Sequence, residues 1–375
     1  MTGTHTNHPS FEPVVELFDR YLQEEGFSGQ LSIRFRGELV VDLAGGSLAP
    51  ESLTGVYSVS KGVAALVIAR LIDTGELDLD ALVTHYWPEF GTLGKGVLTV
   101  RQLLSHQAGL PAILGARLLQ DMLDSAVGAA ALAAQRPLWQ PGSAFGYHAV
   151  TIGVFMEELV RRIRGTTLQQ TFNSEIRGPR QAEFYLGLPA SLDERYVDVA
   201  DAVLTSDQRR AAAAAPPRDA LAEAVFGNFD APDDRGPTGM STNNERIRRA
   251  GPAAIGGVGS ARGLARLYAD ALPGSADPIA SPDTFALMAQ QQVWGQDRTL
   301  DCPNSFGIVF MLPQPRMPFG GLAAFGHDGA GGALAFADPS TEIAFGYIPV
   351  PMQYPGGADH RALALARLAR QCARA

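Results

Sequence analysis

Ser58 and Lys61 stand three residues apart at the head of an apolar run, Gly62 to Ile72, interrupted only by Arg70. A serine hydroxyl is a poor nucleophile until a positioned base takes its proton. A desolvated lysine can become that base, whereas arginine keeps its proton inside proteins. The chain has only two lysines, Lys61 and Lys95, among 30 lysines and arginines. Residues three apart on a helix share a face, so a helix opening at Ser58 would set hydroxyl beside amine. Its first N–H groups lack partners within the helix and suit an oxyanion. The same residues also suit a plainer arrangement, a serine N-cap with a lysine that snorkels to water.

The elements that would position this pair follow from the spacing of apolar residues. Gly62 to Ile72 is apolar on every face except at Arg70, which predicts a buried central helix, and Gly75 is a natural stop. It is about half the roughly 20 residues of a membrane span. Before it, Ser10 caps a helix with Phe11, Val14, Val15, Phe18 and Leu22 on one face, and Leu31 to Leu43 reads as a β-hairpin around Arg36-Gly37. After it come a short helix in Leu98 to Pro111, an Ala/Leu-rich helix over Ala116 to Ala134, and a turn at Trp139 to Gly142. His106, in the first of these, reads as a core or loop histidine. Tyr147-His148-Ala149 leaves the turn and leads into a helix that carries Ile152, Phe155, Met156, Leu159 and Ile163 and stops at Gly165.

Residues 166–250 are less regular. Ala211 to Pro217 reads as a solvated helix and its breaker, and Asp230 to Gly239 as a loop. The glycine-dense Pro252 to Gly259 suits a close backbone approach ahead of a helix over Ser260 to Leu272. Four strands are expected at Phe306 to Met311, Ala323 to His327, Ala333 to Ala337 and Ile343 to Val350, with a last helix from Asp359. Strands near both chain ends around a helical middle predict an α/β (α+β) fold with one sheet built from both ends.

Composition narrows the function. A net charge of −9 without a basic block argues against nucleic acid and acidic membranes as partners. Cys302 and Cys372 make no metal spacing and no disulfide framework, the seven histidines are scattered, and no cofactor motif is present, so the expectation is a protein without metal or cofactor. Met1 to Ser10 has no secretory pattern, and the expected location is the cytoplasm.

Ser58-Val59-Ser60-Lys61, Tyr147-His148-Ala149 and His327-Asp328-Gly329 occur in the order and approximate spacing of the three motifs of serine β-lactamase-like enzymes. Over nearly its whole length the chain resembles the class C β-lactamase superfamily, most closely its esterase branch, the family VIII carboxylesterases. The resemblance implies a β-lactamase/transpeptidase-like fold. An α/β domain over residues 1–75 and 252–375 would hold an antiparallel sheet flanked by helices. A mostly helical domain over 76–251, with an irregular lobe at about 166–250, would be inserted in it. It also implies roles. Ser58 would be the nucleophile, Lys61 its base and Tyr147 a second acid/base group. The backbone N–H groups of Ser58 and Ala330 would form an oxyanion hole, with His327 and Gly329 bordering the substrate. The sequence leaves open which of Lys61 and Tyr147 takes the first proton.

Two departures from the β-lactamase pattern favour esters. Ala149 stands where class C β-lactamases usually have asparagine, and His327 where they usually have lysine. A methyl donates no hydrogen bond, and histidine near pH 7 is largely neutral, so the attraction for an anionic lactam falls. Strand alternation puts His327 and Gly329 on one face and Asp328 on the other. The expected activity is hydrolysis of small-molecule carboxylic esters through an acyl-enzyme on Ser58. Acyl transfer, amide or β-lactam hydrolysis at the same site, and a non-catalytic penicillin-binding-like protein, are the alternatives.

Overall fold

The computed structural model describes residues 8–115, 123–227 and 240–375. Part of the expected Ala116 to Ala134 helix and all of the Asp230 to Gly239 loop lie outside them. The described part of that helix runs Ser125–Ala134.

A five-stranded sheet draws on both ends of the chain. Its strands are β1 (Ser28–Phe35), β2 (Glu38–Gly45), β3 (Phe325–Asp328), β4 (Leu334–Asp338) and β5 (Ile343–Val350), in the antiparallel order β2-β1-β5-β4-β3. Arg36 and Gly37 both take positive φ, 52° and 81°, as a tight primed turn between right-twisted strands requires. The expected strand from Phe306 to Met311 is instead a bend. A strand ends at Phe306, Val309 takes φ 63°, and the Gly307 N–H donates to the Phe310 carbonyl.

Period-two alternation sends each strand's side chains to two different cores. Ile343, Phe345 and Tyr347 of β5, with Leu334 and Phe336 of β4, pack with α1 (Glu12–Leu22) and the last helix. Ala335, Ala337, Ala344 and Ile348 face the opposite core, built around α2 (Val59–Asp73). The residues on this second face are small because helices lie close to it. A Cβ at Gly346 would collide with the Ala261 carbonyl oxygen on the helix Ala261–Ala269.

Twelve residues of α2 are buried, and Lys61 is the one ionisable side chain among them. The helix also packs against α3 (Thr151–Arg164), which ends on Gly165 in the left-handed conformation. The expected loop at Pro252 to Gly259 contains a short strand, Gly257–Gly259, paired with Thr54–Gly55 and Phe184–Leu186. Its glycines permit the close approach that their density suggests. A Cβ at Gly257 would crowd Ser60 Oγ at 2.6 Å, and one at Gly153 would sit 2.7 Å from the Ala254 nitrogen. Ser206–Ala214 is an exposed helix started by a Thr205/Gln208 capping box. Among the described residues, no helix is long and apolar enough to cross a membrane.

Candidate active site

Tyr57 carries φ 47°, uncommon for a residue with a side chain, and the strained turn lies directly before Ser58. Ser58 makes no side-chain cap hydrogen bond to its own helix. The capping chemistry falls to Ser60 instead, which donates to the Tyr57 carbonyl and accepts from the Gly257 N–H at 2.8 Å. The Ser58 hydroxyl, half-buried at the mouth of α2, is left for other partners.

Lys61 Nζ donates to Ser58 Oγ at 2.8 Å and to the Ala254 carbonyl at 2.9 Å. It does not snorkel: the side chain is completely buried. Burial drives its pKa well below the usual lysine range, with the Asp328 charge opposing the shift. The Ala254 carbonyl is held in turn, because the adjacent Ala253 N–H donates to Glu157 Oε1 at 2.9 Å. Gln169 donates to the same oxygen at 2.8 Å.

Tyr147 reaches the pair from the opposite wall. Lys61 Nζ lies 5.0 Å from its ring centroid. Burial pushes the phenol pKa upward, the hydrogen-bonding Ser58 side chain works against that, and Asp328 and Asp297 add to the rise. Burial therefore favours the neutral form at both groups, amine at Lys61 and phenol at Tyr147. His148, next in the chain, faces elsewhere. Its Nδ1 lies 2.6 Å from the Gly146 carbonyl, and its Nε2 accepts from the Leu110 N–H at 3.2 Å, which fixes the tautomer. Burial lowers its pKa to about 4. His106 is fully buried and accepts the His148 N–H on Nδ1 at 3.0 Å.

The third motif meets the cleft with the side opposite to the one expected. Asp328 lines the cleft; His327 is completely buried and packs behind it against α2 at Gly62. β3 ends at Asp328 and the chain curls at once, with Gly332 N–H bonding the Gly329 carbonyl and Gly329 N–H bonding Ala333. Burial raises the Asp328 pKa, but His327, the Ala358 N–H and Arg316 outweigh it and hold the carboxyl below its usual range. Gly329 is not a cleft wall either. A Cβ there would strike the Val56 carbonyl, so the missing side chain brings this turn against the segment leading into Ser58. Ala330 does line the cleft, and neither its N–H nor that of Ser58 donates to an acceptor among the described residues.

The cleft has a volume of about 560 Å³. Its walls are mainly apolar, with Tyr57, Phe226, Met240, Leu300, Met311 and Tyr354 among them, and with Arg218, Arg316 and Asp201 in addition to Asp328. Sequence reasoning missed Asp328, Arg316 and the 352–357 strap of this wall. It also missed Asp297, a buried carboxylate that accepts the Tyr147 N–H. No motif marks Arg316, Asp297 or the 352–357 strap, which long-range folding alone brings to the site; Asp328 stands inside the third motif, and what its sequence does not give is that it faces the cleft.

The Beta-lactamase family pattern matches residues 14–369. EstA from Arthrobacter nitroguajacolicus Rue61a superposes with a TM-score of 0.89 at 43% identity, covering 99% of each chain. A family VIII carboxylesterase superposes with a TM-score of 0.86 at 30% identity, covering 99% of this chain and 100% of that one. Esterase/beta-lactamase LipL of Mycobacterium tuberculosis (strain ATCC 25618 / H37Rv) is 32% identical over 91% of this chain and 81% of its own. The chain belongs to the beta-lactamase family, as an enzyme of its esterase/beta-lactamase hydrolase kind.

Proposed function

We propose that the protein is a serine carboxylesterase acting on uncharged small-molecule esters through a covalent acyl-enzyme on Ser58. The observation that carries this reading is the 2.8 Å contact between Ser58 Oγ and the Nζ of a completely buried lysine. A neutral Lys61 takes the Ser58 proton as Oγ attacks the ester carbonyl carbon. The resulting oxyanion is received by the N–H groups of Ser58 and Ala330. Tyr147, held as a neutral phenol, gives its proton to the departing alkoxide and regains one from the Lys61 ammonium. Water then cleaves the acyl-enzyme as the relay runs backward. Of the two candidate first bases, Lys61 is favoured, because burial lowers its pKa and raises that of Tyr147. The apolar walls suit an ester with a hydrocarbon or aromatic portion. His327, buried behind the cleft, has no substrate-binding part in this reading. The proposed location is the cytoplasm, where two unpaired cysteines are at home.

β-Lactam hydrolysis is the second reading. Arg316 on the cleft wall supplies a fixed positive charge for a carboxylate, and LipL carries both activities in its name. Against it stands Ala149, which lines the cleft and has no amide to offer.

Rapid mixing with p-nitrophenyl butyrate should give a burst of nitrophenolate and a butyryl mass on the peptide containing Ser58. Turnover without that adduct, or a Ser58→Ala enzyme that retains activity, contradicts the reading. Nitrocefin turnover by the wild type compared with that of butyrate esters ranks the two substrate classes.

A further inference from the structure

Tyr147 sits in a segment with neither helix nor strand, between Trp139 and α3. Its placement therefore depends on what anchors its backbone. Gly146 N–H donates to the His106 carbonyl at 3.1 Å and His148 N–H to His106 Nδ1 at 3.0 Å. Between them, Tyr147 N–H donates to Asp297 Oδ1 at 2.9 Å, across 150 residues of chain.

Asp297 is completely buried, and among the described residues no cation pairs with it. Its charge is balanced by donors instead. Oδ1 also accepts the N–H groups of Thr299 at 2.8 Å and Leu300 at 3.1 Å, while Oδ2 accepts Asn304 Nδ2 at 3.1 Å. Burying a carboxylate in this way is costly unless its oxygens are satisfied. The orientation of Asn304 is fixed from its far side. Its Oδ1 accepts Gln314 Nε2 at 2.6 Å and Arg316 Nη2 at 3.2 Å, so its amide nitrogen must face Asp297. Residue 297 therefore has to accept at both oxygens, which an aspartate does and an asparagine does not.

We propose that Asp297 is the positioning residue for Tyr147: it fixes the tyrosine backbone so that the phenol meets Ser58, and it acts on turnover only through that tyrosine. The inference rests on the reading of Tyr147 as the second proton-transfer group. Misplacing such a group by about 1 Å costs on the order of 100-fold in rate.

The test is a double-mutant cycle on ester turnover with p-nitrophenyl butyrate, with thermal unfolding measured for every variant. Tyr147→Phe alone tests the underlying reading; near-normal activity there ends both that reading and this inference. Asp297→Ala is expected to lower kcat by about 10- to 100-fold with KM changed less than about twofold. Asp297→Asn, which sets one NH₂ against another, is expected to fall between Ala and wild type. In the Tyr147→Phe background either substitution should cost less than about twofold more, because members of one unit are not additive. The exchange Asp297→Asn with Asn304→Asp gives every donor an acceptor again and should restore kcat, and it keeps the test decisive where the alanine variant does not fold. An equal loss in both backgrounds, an exchange no better than Asp297→Asn alone, or a loss carried by KM through the cleft residue Leu300 overturns the proposal.

Discussion

The two lysines of this chain occupy sites that look alike. Lys61 and Lys95 are both completely buried, and both lie above an aromatic ring, at 5.0 Å from Tyr147 and 5.3 Å from Phe90. Burial lowers the pKa of each. They differ in what they touch. Lys95 Nζ donates to the carbonyls of Ala133 at 2.9 Å and Gln135 at 2.7 Å. Lys61 spends one donor on a carbonyl and faces a hydroxyl with the rest. A carbonyl accepts a hydrogen bond but has no proton to give, so Lys95 is a clasp between its own loop and the C-terminal end of the helix Ser125–Ala134. A hydroxyl can give its proton, and only at Lys61 does losing the ammonium proton create a useful base. Burial makes a lysine available for chemistry; the partner decides whether chemistry follows.

Exchanging each lysine for arginine should separate the two sites most sharply. Lys61→Arg is expected to lower ester turnover by at least about 1,000-fold, since a guanidinium cannot accept the Ser58 proton. Lys95→Arg should leave kcat within about twofold. Comparable losses from the two would dissolve the distinction.

A smaller effect is expected for Lys95→Met. The Gln135 carbonyl loses its lysine donor while the Ala133 carbonyl keeps the Thr92 hydroxyl, a cost of about 1–3 kcal/mol read as a lower unfolding midpoint with unchanged kcat/KM. A fall in kcat/KM without loss of stability would show Lys95 to be more than a clasp.

The smallest effect concerns Asp328. Activity requires neutral Lys61, so kcat/KM falls as pH drops through the Lys61 pKa. The Asp328 charge raises that pKa. Asp328→Asn should therefore move the acid limb to lower pH, and a limb that stays or moves upward contradicts the assignment. Tyr147 should add no alkaline limb below about pH 10, because its pKa is raised rather than lowered.

Much of this was legible in the sequence where the chemistry is local. Ser58 and Lys61 share a helix face by spacing alone, and the apolar run around them marks a buried helix. Small residues at Pro252 to Gly259 signalled a close backbone approach, though not that it would be to α2 or that the Ala254 carbonyl would grip Lys61. The motif at His327 was visible, but which of its sides meets the cleft was not, because that follows from long-range packing of His327 against Gly62 and of Gly329 against Val56. Asp297 is a single acidic residue among 39 aspartates and glutamates, and only the folded chain brings it to Tyr147. The positive φ at Tyr57 likewise follows from the packing around it and not from residue type.

Having only two lysines makes the protonation state of Lys61 directly measurable. Nitrogen-15 labelling at lysine Nζ gives two resonances, which Lys95→Met assigns. The account expects the Lys61 resonance to be that of a neutral amine while the pH is still well below 10.5, and to become an ammonium only on further acidification. An ammonium signal from Lys61 persisting up to the ordinary lysine range would contradict it.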